Sequence, residues 1–63
     1  MTGEVIEALP NTQFNVKSDG TVYRCYLAGR MRINRIKVMV GDRVEFISLD
    51  GKVGRINRRI NGK

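Results

Sequence analysis

Two Asp-Gly pairs, Asp19-Gly20 and Asp50-Gly51, each stand between runs in which apolar residues tend to recur at every second position. Such a pair tolerates the positive φ that tight hairpin turns demand, and between alternating runs it is the strongest short-range hairpin signal a sequence carries. Two hairpins in 63 residues leave little chain for anything but a small all-β domain. The flanking segments agree. "GEVIEAL" (3–9) is rich in β-branched and apolar residues and stops at Pro10-Asn11, a dipeptide that breaks strands. "QFNVKS" alternates Phe14 and Val16 with polar neighbours, and "TVYRCYLA" places Tyr23, Cys25 and Leu27 on one face with Arg24 and Tyr26 on the other.

After Gly29 the period of two stops, and Met31, Asn34 and Ile36 fall at spacings that suit a turn or two of helix. Helix this short needs packing against the rest of the domain to persist. Gly41-Asp42 marks the next turn. "RVEFISL" then alternates Val44 and Phe46 inward with Arg43 and Glu45 outward, and in "KVGRINRR" Gly54 signals a bulge or a close backbone approach. The final "INGK" (60–63) reads as a mobile tail. Five strands with a helical insert between the third and fourth match an all-β, five-stranded, partly open Greek-key barrel of the oligonucleotide-binding (OB) type. In that fold the second and third strands and the adjoining loops form the ligand face. The small barrels of many ribosomal proteins share the strand inventory, and the insert favours the OB type. Residues 1–63 are expected to form one domain. At about 60 residues it would bury only about 60% of its unfolded surface.

The charge is segregated. Twelve Lys and Arg face six acids, a net of +6. Residues 1–23 hold Lys17 against Glu4, Glu7 and Asp19, and residues 38–51 hold Arg43 against Asp42, Glu45 and Asp50. Arg24, Arg30, Arg32, Arg35 and Lys37 form an acid-free block, and Lys52, Arg55, Arg58, Arg59 and Lys63 form another. Eight of the twelve cations are Arg, the residue that forks onto phosphate and stacks on bases. That distribution suits a surface that tracks a polyanion. Tyr26, sharing a strand face with Arg24, suits base stacking.

Other classes fare worse. The chain has no His and one Cys, so an internal disulfide and the usual zinc-ligand sets are excluded. Cys25 lacks a His to activate it and is expected in the core. Walker-type and GxGxxG phosphate loops are missing. No cofactor and no enzymatic activity are expected. The acidic N-terminal stretch is unlike a signal peptide, and no apolar run approaches the ~18 residues of a membrane span, so a soluble cytoplasmic protein is expected. A monomer is expected as well.

In order and nearly in spacing, "EVIEALPNTQFNV", "LAGRMRINRIKVMVGDRVEF" and "GRI" resemble the bacterial translation initiation factor 1 family, over about residues 3–59. The resemblance implies an OB barrel that binds the small ribosomal subunit at the decoding A site. It further implies contacts to ribosomal RNA and a neighbouring ribosomal protein, and action with initiation factors two and three in placing initiator tRNA. The implied contact residues are Asn11 and Thr12 after the first strand, Arg30, Arg32 and Lys37 in the insert, and Arg55 in "GRI". Arg24, Tyr26 and Arg35 join them from the charge and face pattern. Where the family commonly carries aromatics this chain has Arg35 and Arg58, which exchanges stacking surface for charge. Two other readings use the same barrel: a general single-stranded RNA binder or RNA chaperone, and a basic module that docks an acidic protein.

Overall fold

A computed structural model of the chain describes residues 1–60. They form β1 (Thr2–Leu9), β2 (Gln13–Ser18), β3 (Thr21–Leu27), α1 (Gly29–Ile33), β4 (Arg43–Asp50) and β5 (Val53–Arg59). The strands close into a barrel in the order β1-β2-β3-β5-β4, with β4 returning to β1. All neighbours are antiparallel except β3 and β5, which run parallel. The expected OB-type barrel with its insert between the third and fourth strands is the architecture observed. Of the expected mobile tail, residues 61–63 lie outside the described residues, while Ile60 donates its backbone N–H to the Arg43 carbonyl at 2.8 Å.

Closing so few strands requires tilt and bending, which bulges supply. β1 pairs with β4 through Thr2–Glu4 and with β2 from Glu4 to Leu9, and the register slips between Val5 and Glu7, making Ile6 an extra residue where the strand turns. A second slip leaves Asn57 extra in β5: Ile56 pairs with Phe46 and Arg58 with Glu45. Inside the barrel, Val5, Phe14, Val16, Cys25, Val44, Phe46 and Ile56 are buried, and the Tyr23 ring lies 5.1 Å from that of Phe46. Gly54 is the close approach that its position in the strand suggested. A Cβ there would sit 2.8 Å from the Ile47 carbonyl oxygen and 3.0 Å from both Cys25 Sγ and Phe46 Cδ2.

The insert owes its shape to two left-handed residues. α1 buries only Met31, which joins the barrel core together with Val38. Arg35 takes φ 55°. With it, the N–H groups of Arg35 and Ile36 reach the carbonyls of Arg32 and Met31 at 3.2 and 3.0 Å, the paired bonds that end a helix through a left-handed residue. The helix therefore stops at Ile33, within the turn or two expected, and Arg35 lies beyond its end. Further on, the Asp42 N–H bonds the Met39 carbonyl at 3.0 Å across a turn whose third residue, Gly41, has φ 97°. Gly41 and Asp42 both oppose Val5: the Gly41 N–H reaches the Val5 carbonyl at 2.8 Å, and the Val5 N–H reaches the Asp42 carbonyl at 2.9 Å. A bulge of this kind needs positive φ at its first residue, which accounts for the Gly in "GD". The Asp accounts for itself by accepting the Met39 N–H on its carboxylate at 2.9 Å.

Candidate nucleic-acid interface

Strand register decides which side chains share the outer surface. On β3, Val22, Arg24 and Tyr26 are exposed while Cys25 and Leu27 are buried, so the Arg/Tyr face read from the alternation is the solvent face. Across β2, Tyr26 is paired with Gln13 and Arg24 with Asn15; across β5, Tyr26 is paired with Arg55 and Arg24 with Val53. Tyr26 thus stands between an amide and a guanidinium, with a side chain exposed at 38%. The β1–β2 loop carrying Asn11 and Thr12 enters β2 next to Gln13, at the end of the barrel where β3 passes into α1. Both loop residues have positive φ, 63° and 54°. For Thr, whose branched Cβ disfavours that region, this is strain of the kind that clusters at functional loops.

The two basic blocks separate into different roles. Among the described residues, the side chains of Arg30, Arg32, Arg35 and Lys37 have no acidic partner and are all exposed. In the second block, Arg58 is paired with Glu45 at 2.7 Å. Arg59 donates to the Lys37 carbonyl at 3.0 Å and lies 3.9 Å from the Asp42 carboxylate, tying the insert to the end of β5. Arg55 instead faces a notch of about 420 Å³ between α1 and β5, lined also by Ala28, Arg30 and Asn57. The barrel thus brings together Arg24, Tyr26, Arg55 and Arg30. Arg32 projects from the exposed side of α1, and Arg35 and Lys37 follow along the insert. A larger groove of about 510 Å³ lies by the start of β1 and the β2–β3 turn, where Lys17 and Arg43 are mixed with Glu4 and Asp19, a lining that selects neither sign of ligand.

Sequence reasoning missed Asn57, and counted Arg59 as one cation of the second basic block without its role in holding the insert. The alternation around buried Ile56 would have put both Arg55 and Asn57 outward, which is the signal that Asn57 carried; Arg59 gave none, because its partners are the main chain and side chain of a distant loop. Cys25 is fully buried, and burial pushes its thiol up to about 11, which removes the thiolate a nucleophile needs. No helix among the described residues is long and apolar enough to cross a membrane.

Residues 2–56 match the family model of the RsgA N-terminal domain. Among solved structures, the chain is similar to translation initiation factor 1 from the Wolbachia endosymbiont strain TRS of Brugia malayi. The two are 34% identical, with a TM-score of 0.76, over 98% of this chain and 77% of that one. It is also similar to YjeQ from Thermotoga maritima (27% identity, TM-score 0.78) and to YloQ, a circularly permuted GTPase (26%, 0.79). Each of these two matches covers 95% of this chain but only 22% of the larger protein.

Proposed function

This chain belongs to the RsgA N-terminal domain family, and from that premise we propose that it is a non-enzymatic RNA-binding barrel that docks on ribosomal RNA of the small subunit. The site would be the decoding A site, as the likeness to translation initiation factor 1 suggests. There it acts as a monomer in the cytoplasm, beside a neighbouring ribosomal protein and with initiation factors two and three, and keeps tRNA out of the site it fills. The observation that carries this reading is the run of exposed cations without acidic partners, Arg30, Arg32, Arg35 and Lys37, adjoining the outer face that holds Arg24, Tyr26 and Arg55.

The physical roles divide in two. Arg30, Arg32, Arg35 and Lys37 neutralise phosphates and displace counterions, which supplies affinity without sequence choice. Arg24, Tyr26 and Asn11 are held by strands and a tight loop, and they make the closer contacts to sugars and bases that select the site, with Thr12 and Arg55 in contact beside them. The double variant Arg32→Ala/Lys37→Ala replaces two exposed side chains, so it should fold normally and bind small subunits more weakly. Unchanged binding would show that this is the wrong face. The family match favours one second reading, in which the barrel is the RNA-docking module of a GTPase, as the 22% share of YloQ invites. Displacement from small subunits by translation initiation factor 1 would support the first reading; binding alongside it would support the second.

A further inference from the structure

We propose that the notch between α1 and β5 is a preformed site for the phosphate of one nucleotide, with the base resting on Tyr26; as a part of the RNA surface, it rests on the RNA-binding reading above. What the notch offers decides the ligand. Its side chains are Arg30, Arg55 and Asn57, with Ala28 completing the wall and no acid in the lining. The Arg55 Nε–H donates to Asn57 Oδ1 at 3.3 Å. That bond uses one lone pair of the amide oxygen, while the amide NH2 and the terminal amino groups of Arg55 make no bond among the described residues. The Ala28 main chain is already engaged: its N–H bonds the Ile56 carbonyl at 2.9 Å, and its carbonyl accepts from Met31 and Arg32.

Apart from the second lone pair of Asn57 Oδ1, the side-chain groups still available in the notch are donors, and two of the three side chains are cations. A ligand with acceptors and negative charge, a phosphate, is the match; a neutral ligand would leave both guanidinium charges and most of these donors unanswered. The volume, about 420 Å³, lies within the range of small-ligand clefts and exceeds what a bare oxyanion needs. Arg55 lines the notch and its strand partner on β3 is the exposed Tyr26, so a base can lie against that ring while its phosphate sits between the two guanidiniums. Asn57 reaches this position as the second residue after Arg55, on the same outer side of buried Ile56, where the β5 bulge begins.

The same chemistry could come from a phosphodiester within an RNA chain or from a free nucleotide, and the test separates them. The protein is titrated with uridine 5′-monophosphate, with uridine, and with a short oligouridylate, following the amide and guanidinium signals by NMR. The monophosphate should shift Ala28, Arg30, Arg55, Asn57 and Tyr26, and uridine should leave the first four unmoved. Asn57→Asp is the informative variant. A purely structural Asn57 would tolerate it, since Asp pairs with Arg55 at least as well, whereas a phosphate site gains a negative charge and should lose affinity by about tenfold or more. Shifts elsewhere, equal response to uridine, or undiminished binding of either ligand by Asn57→Asp would overturn the site. Wild-type binding of the monophosphate with no binding of oligouridylate or small subunits would keep the notch as a free-nucleotide site and sink the RNA reading instead.

Discussion

Arg35 occupies a backbone position that favours glycine, and replacing it separates what the residue costs the fold from what it contributes to binding. At φ 55° its Cβ crowds the following carbonyl, a penalty of about 1–2 kcal/mol for a non-glycine residue. Glycine removes that penalty but adds freedom to the unfolded chain, worth roughly 0.5–1 kcal/mol the other way. Arg35 is exposed and its side chain makes no contact that offsets the strain, so Arg35→Gly should stabilise the protein by about 0.5–1 kcal/mol. In a domain of this size that raises Tm by roughly 2–8 °C. The same change deletes one phosphate contact, and the slope of log K against log salt for binding small-subunit RNA should shrink by about 0.7–0.9. Arg35→Ala is the control: it loses the same charge but keeps the Cβ, so its binding should match the glycine variant while its Tm stays near the parent value. Thermal unfolding followed by circular dichroism and a salt series of binding isotherms read both effects. Equal Tm for the two variants would refute the strain argument, and an unchanged salt slope in both would remove Arg35 from the interface.

Other substitutions probe other parts of the structure. Gly54→Ala forces a Cβ within 2.8 Å of the Ile47 carbonyl oxygen and should cost about 1–3 kcal/mol, measured as a fall in the urea midpoint. Arg59→Ala removes the bond to the Lys37 carbonyl and should cost about 1 kcal/mol; hydrogen exchange should quicken at residues 36–41 and stay slow in β2 and β3. Burial raises the Cys25 thiol from 9.0 to about 11, so the unfolded chain ionises first as pH rises. This contribution to stability is complete below about pH 9 and is lost toward pH 11. Alkylation of native protein at pH 8 should accordingly be slow and become fast only in denaturant, as mass spectrometry would report.

The strands were legible because their alternation and their turn residues pointed the same way. Asp19-Gly20, with φ 51° and 78°, is the hairpin its composition announces, and the inward set Val44, Phe46, Cys25 and Leu27 followed from period two alone. Charge segregation located the cations but could not say which were free. Arg58 and Arg59 belong to the second basic block, yet the fold sets Glu45 and Asp42 beside them, residues distant in sequence that only strand pairing and the insert bring near. The point at which α1 ends was not legible for a related reason: nothing local marks Arg35 as left-handed, and its conformation follows from Met31 and Ile36 both packing on the barrel. The alternation around Ile56 does put Asn57 outward, but that it is the extra residue of a bulge depends on the pairing of β5 with β4, which nothing local in the sequence marks.

Binding of labelled protein to purified small subunits, large subunits and an equal mass of unrelated structured RNA, at about 150 mM salt where loose ionic contacts are screened, tests the central claim most directly. Saturable binding to small subunits alone, displaced by a ligand of the decoding A site, is the expected result. Equal and steeply salt-sensitive binding to all three would contradict it and leave a general RNA-binding barrel in its place.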